Sequence, residues 1–203
     1  DRLLAMDENG TILKTVSKEY PLFFPHPGWS EQNPYDWFTQ SMDGLKELLD
    51  GTDRSLVAGI SFGGQMHGLV ILDENDKVIR PAILWNDGRT TKECDYLNNV
   101  IGKDKLTEYT ANIAFAGFTA PKILWVKENE PENFKKIARI MLPKDYLAYR
   151  LTGVHCTDVS DASGMLLLDV KKRDWSDEMI KICDVSRAVS YTHLRAHETD
   201  SYL

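Results

Sequence analysis

Three side chains of different chemistry sit beside two glycines in the run Ile60-Ser61-Phe62-Gly63-Gly64-Gln65-Met66-His67-Gly68-Leu69-Val70. Met66 offers an adaptable apolar wall, and the His67 imidazole can donate to or accept from a neutral hydroxyl. Glycine lets a backbone come close to a ligand, and α/β proteins bind ligands at the carboxyl ends of their strands. The apolar run Leu56 to Ile60 is predicted as a strand covered on both faces, which puts the Gly63-Gly64 turn at its carboxyl end. The alternative for His67 is a purely structural role after the Gly-Gly turn. No Ser-His-Asp or Cys-His arrangement and no metal cluster can be read. His193 and His197 share the i, i+4 spacing that can present two metal ligands on a helix, but a third ligand is lacking, so no metal site is assigned.

The elements that must position this loop are readable from local signals. Asp7-Glu8-Asn9-Gly10 separates the apolar runs Leu3–Met6 and Ile12–Ser17 as a hairpin turn, and Asp73-Glu74-Asn75-Asp76 repeats the design between Leu69–Leu72 and Val78–Ile79. Neither acidic turn continues with the ligand spacing of a calcium loop. Asn33 followed by Pro34 predicts a helix start, with Trp37, Phe38, Met42, Leu45, Leu48 and Leu49 on one face and Gly51 as the stop. Thr90 and Glu93 read as a capping box for a helix to about Val100. Further helices are predicted at Pro121–Glu128, Pro131–Ala138, Lys144–Leu151 and Ser176–Cys183, with strands at Arg139–Leu142 and Met165–Leu168. This mixture indicates an α/β fold.

The chain has 203 residues, 42% of them hydrophobic and 27% charged, which suits one sizeable folded core. A net charge of -7 disfavours nucleic acid or an anionic membrane as partner, though local backbone amides can still bind a nucleotide phosphate. No apolar run reaches membrane-spanning length. Three cysteines without close spacing point to a reduced, cytoplasmic setting.

Six segments together resemble the FGGY carbohydrate kinase family, and within it the xylulokinase branch. They are SFGGQMHGLV at 61–70, RPAILWNDGRT at 80–90, PGWSEQNP at 27–34, GFTAPKILWVKEN at 117–129, LPKDY at 142–146 with RLTG at 150–153, and TDVSDASG at 157–164. The resemblance runs in order from Leu3 to about Arg187. It implies an actin-like (ribonuclease H-like) ATPase domain, the N-terminal domain of a two-domain sugar kinase. By the same resemblance Met66 and His67 match the sugar-contacting pair, where glycerol kinases carry Arg-Glu. Trp85 matches a pocket-lining tryptophan, and Asn86 and Asp87 beside it are weaker candidates. An aromatic face suits the C–H surface of a sugar while polar tips sort its hydroxyls. Alternatives stay open: Trp85 as a core aromatic, Asp87 with Arg89 as an ion pair or helix cap, Lys122 and Trp125 as packing elements of a helix, Asp161 as a turn residue.

The activity implied is transfer of the ATP γ-phosphoryl group, with Mg²⁺, to a hydroxyl of D-xylulose. The alternatives are a kinase of the same family acting on ribulose, gluconate or a related substrate, and a non-catalytic sugar-binding module. The resemblance places the phosphate loop and first strand before Asp1 and the general-base aspartate beyond Leu203. By this reading residues 1–187 form a partial N-terminal sugar-binding domain that is inactive alone and binds neither ATP nor metal. The full-length enzyme would use a small-molecule sugar and could form a homodimer. Residues 188–203 (AVSYTHLRAHETDSYL from Ala188) resemble translated sequencing-adaptor read-through and are set apart from the fold.

Overall fold

The computed structural model describes residues 1–189 and 193–195. Its first element is the expected hairpin, β1 (Arg2–Met6) against β2 (Ile12–Ser17). Asp7 closes the turn by accepting from the amides of Asn9 and Thr11, at 2.9 and 2.8 Å, with Gly10 left-handed. Asp73 does the same work in the second hairpin for Asn75 and Lys77, at 2.8 and 2.9 Å, and Asp76 takes the left-handed position. Short aspartate side chains that bond forward to the backbone are what make such turns.

The core is organised around β4 (Val70–Leu72), whose three residues are all buried. On one edge it pairs antiparallel with β6 (Arg139–Met141), with Ile71 opposite Ile140. Toward the other edge, Leu69 exchanges both backbone hydrogen bonds with Ile83 of β5 (Ala82–Ile83), at 2.8 and 3.1 Å. In turn, β5 pairs antiparallel with β3 (Glu31–Gln32). Helices cover these strands. They are α1 (Pro34–Leu48), α2 (Thr91–Asp95), α3 (Lys103–Thr110), α4 (Thr119–Asn129), α5 (Pro131–Phe134) and α6 (Pro143–Thr152). The chain continues through β7 (Cys156–Asp158), α7 (Val159–Ser163), the pair β8 (Leu168–Asp169) and β9 (Asp174–Trp175), and α8 (Asp177–Ile182). The arrangement is the expected α/β domain.

Caps explain the boundaries that were legible. Asn33 accepts from the Tyr35 amide and Pro34 opens α1, while Ser176 accepts from the Met179 amide at 3.3 Å to open α8. Other expectations need correction. Leu56–Ile60 is not a covered strand: Leu56 is 77% and Ile60 58% exposed, and a short 3-10 turn occupies Arg54–Leu56. A strand buried on both faces needs backbone partners on its edges, and among the described residues no strand pairs with this run; the doubly covered strand is β4.

The Thr90–Glu93 capping box does not form. Thr90 donates instead to the Ala116 carbonyl at 3.1 Å, and Glu93 is buried with one carboxylate oxygen lacking a partner, so burial pushes its carboxyl up. The helix also runs past Val100, through a π-helical stretch at Tyr96–Gly102 into α3. The predicted helix from Pro131 ends at Phe134, and only Leu168 of the predicted Met165–Leu168 strand is in a strand. The backbone of His193–Arg195, within the segment set apart by sequence, lies parallel to β7 as β10. His193 is therefore not helical, and His197 lies outside the described residues.

Truncation distinguishes the two apolar runs. Ile71→Ala should cost about 2–5 kcal/mol in urea denaturation of this chain, whereas Leu56→Ala should stay within about 0.5 kcal/mol. Equal costs would show that the 56–60 run is packed after all.

Candidate functional site

Antiparallel pairing of Leu69 with Ile83 carries two loops to the same end of the sheet: residues 66–68 precede Leu69, and residues 84–86 follow Ile83. Residue 67 therefore falls in register with residue 85. At that end Met66 is 40% and Trp85 56% exposed, Asn86 is exposed, and His67 is half-buried. Large apolar side chains held open beside polar groups are what a sugar face needs.

His67 is tightly specified. Its backbone is left-handed, at φ 65°, an unusual conformation for a residue with a side chain. Ring Nδ1 lies 2.9 Å from the carbonyl of Gly164, which can only accept, so Nδ1 carries the hydrogen and Nε2 is left as an acceptor. Phe118 flanks the ring, with centroids 4.7 Å apart. A Cβ on Gly164 would come 2.2 Å from the imidazole, so only glycine permits this approach. Burial pulls the His67 pKa below its ordinary 6.5, and the nearby Lys122 charge adds to the effect; the Gly164 carbonyl and Asp161 oppose it. The ring is neutral at neutral pH.

The His67 carbonyl accepts from Thr119 Oγ1 at 3.2 Å and from Lys122 Nζ at 2.8 Å. Lys122 also donates to the Gly117 carbonyl at 2.5 Å. Gly117 in turn lies so close to Trp85 that a Cβ there would meet the Trp85 carbonyl oxygen at 2.7 Å. Backbone around residue 117 thus joins the two loops. Lys122 is fully buried, and burial pulls its ammonium down to about 7, with Arg89 adding and Asp87 opposing. Nothing in the sequence marks Lys122 or Gly164 as neighbours of His67; the only signal is their place in family-like segments.

Asp87 is placed differently from its neighbours. It is 2% exposed, and four donors fill its carboxylate. Ser30 N reaches Oδ2 at 2.6 Å, and Arg89 N reaches Oδ1 at 2.9 Å. The Arg89 guanidinium adds a bidentate pair at 2.8 and 2.7 Å. Four donors match the lone pairs a carboxylate offers, leaving none for a hydroxyl. Arg89 also reaches Glu31 at 2.8 Å and lies 3.8 Å over the Trp29 ring, with Trp125 beyond it. Arg80 extends the chain of charges by pairing with Glu31 and, at 2.8 Å, with Glu130. The segment around Gly28 to Gln32 is therefore a grip on the 84–89 loop, reinforced by backbone bonds from Leu84 to Ser30 and from Gly88 to Gly28. Gln32 completes the grip by accepting from Trp37 Nε1 at 3.1 Å and Gln65 Nε2 at 3.0 Å.

A cavity of about 310 Å³ lies elsewhere, between the 60–62 segment and residues of α6 and β7. Lys144 lines it and pairs with Asp145 at 3.1 Å, Asp161 at 2.9 Å, and Asp158. Burial works against the Lys144 charge, but these carboxylates outweigh it and hold the pKa above the ordinary value. Met66, His67 and Trp85 do not line this cavity.

Residues 1–198 match the profile of the FGGY family of carbohydrate kinases, N-terminal domain. The chain belongs to this family. The xylulose kinase of Bacillus subtilis (strain 168) is 43% identical over 199 residues, covering 97% of this chain and 40% of that protein. The crystal structure of a "xyloylose kinase" from Brucella ovis superposes with TM-score 0.89 at 38% identity, over 94% of this chain and 39% of that one. A gluconate kinase from Lactobacillus acidophilus gives the same TM-score at 25% identity, over 97% and 39%. The chain thus spans about two fifths of the length of the relatives it matches, and its fold is that of the actin-like N-terminal domain of FGGY kinases.

Adjacent residues should separate support from contact. Asp87→Ala strands a buried guanidinium and should cost about 3–5 kcal/mol, or roughly 6–20 °C in Tm, while exposed Asn86→Ala stays within about 0.5 kcal/mol. Thermal unfolding of both variants checks this, and a mild Asp87 variant would mean its four bonds are not structural.

Proposed function

We propose that this chain is the sugar-orienting part of an ATP-dependent kinase that phosphorylates D-xylulose to D-xylulose 5-phosphate. One observation carries the reading: an exposed tryptophan and an exposed methionine lie on the two loops that the Leu69–Ile83 pairing brings to one end of the sheet, together with a histidine whose Nδ1 is bonded to a backbone carbonyl. Trp85 covers the C–H face of the ketose, and Met66 forms an apolar wall beside it. His67 Nε2 accepts from a sugar hydroxyl, and the Asn86 amide can both donate and accept. Asp87 contributes indirectly, holding Arg89 and the 84–89 loop in place.

By the family resemblance, we assign the catalytic carboxylate, the phosphate loop and the metal ligands to other parts of the full-length enzyme. The described residues do not fit a metal ion. Among the described residues no group of three His, Cys, Asp or Glu side chains could hold a metal ion, and the acidic cluster at Asp145, Asp158 and Asp161 is filled by the Lys144 ammonium. The part proposed for this chain is binding and orientation, which lower the barrier by fixing the reacting hydroxyl.

Xylulose is favoured over an aldonic acid by the uncharged Met66–His67 pair, and the named function of the Bacillus subtilis relative points the same way. The gluconate kinase likeness keeps gluconate as the rival, since the fold alone does not separate the two. The setting proposed is cytoplasmic: the three cysteines are free, and among the described residues no helix is long and apolar enough to cross a membrane.

A substrate panel on the full-length protein tests the reading: turnover of D-xylulose well above gluconate is expected, and a preference for gluconate overturns the assignment. His67→Ala should raise the KM for xylulose about 2- to 12-fold, the worth of one hydrogen bond. Protonation of Nε2 removes the acceptor, so affinity is lost as pH falls through the depressed His67 pKa. Wild-type KM should thus be steady between about pH 8 and about pH 6.5 and rise in more acid solution, a rise that His67→Ala abolishes.

A further inference from the structure

His67 needs something to hold it. Its left-handed backbone is a conformation that a residue with a Cβ rarely adopts, and its ring rests against Gly164 and Phe118. The holding group is in α4. Lys122 Nζ, one helical turn into that element, reaches the carbonyls of His67 and Gly117 at 2.8 and 2.5 Å, and Thr119 Oγ1 adds a second donor to the His67 carbonyl.

We propose that Lys122 is the positioning residue for His67: its buried amine ties the His67 and Gly117 carbonyls together and so aims the imidazole at the sugar without touching it. A neutral amine has two N–H bonds and the ammonium three, so two carbonyls are satisfied in either state. An apolar side chain of equal length would fill the space but leave the Gly117 carbonyl without this donor and the His67 carbonyl with Thr119 Oγ1 alone. Because Gly117 abuts the Trp85 carbonyl, the same amine also sets the spacing between the histidine and the tryptophan. The inference rests on His67 being a sugar contact, and its test separates the two.

The full-length protein is compared with Lys122→Met, Thr119→Val, His67→Ala and the Lys122→Met/His67→Ala double variant. Two readouts are used: the tautomer of His67 from imidazole nitrogen chemical shifts, and KM and kcat for D-xylulose. Wild type should carry the His67 hydrogen on Nδ1. Lys122→Met should release the ring toward the Nε2-protonated form and raise KM about 3- to 10-fold, with kcat within about twofold. The double variant should be no worse than His67→Ala, since the two changes act through one group. Thr119→Val should move both readouts in the same direction by less, and it carries the test if Lys122→Met does not fold. His67 remaining Nδ1-protonated in these variants, or the Lys122 and His67 penalties adding in full, overturns the proposal. A changed tautomer with His67→Ala leaving KM unaltered upholds the clamp and removes the sugar contact instead.

Discussion

A buried amine must find acceptors, and in this domain it finds one on the 66–68 loop and the other at Gly117, whose backbone abuts Trp85 of the 84–86 loop. Lys122 sits in the wall of the core, where an unpaired amine would be costly, and it is satisfied by the backbone carbonyls of His67 and Gly117. Those carbonyls belong to segments far apart in sequence. Their capture by one group, together with the Leu69–Ile83 pairing, turns a pair of surface loops into a surface of fixed shape.

Close backbone approach does the rest. His67 can lean on the Gly164 carbonyl because no Cβ intervenes, and Trp85 can lie against the 117 backbone for the same reason. Beneath the second loop, the Asp87 carboxylate and the Arg89 guanidinium are buried together, roofed by Trp29 and Trp125 and linked through Glu31 to Arg80. Such networks are demanding, since the removal of one partner leaves an uncompensated charge; within this one, Arg89 Nη1 is buried without a hydrogen bond. The exposed residues, Trp85 and Asn86, are thereby held on a rigid base.

How much of this could be read beforehand depended on the range of the interaction involved. The two Asp-closed hairpins, the Asn33–Pro34 start of α1 and the Ser176 cap of α8 are local, so residues a few positions apart contain the whole signal. The 56–60 run reads as a buried strand because apolar character says nothing about whether partners lie at its edges; here the described residues supply none. Thr90 and Glu93 have the spacing of a capping box, yet Ala116 competes for the hydroxyl from 26 residues away. Lys122 is the same kind of case, since a helix pattern cannot say that a lysine points inward. Met66 and His67 were legible as candidates beside the Gly-Gly turn and matched by resemblance, Trp85 and Asn86 by resemblance alone, and the structure brings the two loops that carry them to one end of the sheet. Asp87, drawn the same way, is enclosed by four donors.

Proteins named as xylulose and gluconate kinases share this α/β domain, and in this chain strands and a charge network form the base beneath the exposed loop residues. The central claim is that Trp85 belongs to the sugar surface, and intrinsic tryptophan fluorescence tests it most directly. Titrating D-xylulose into the full-length protein should change the emission saturably, and Trp85→Phe should abolish that change. A response that persists undiminished in Trp85→Phe would contradict the account.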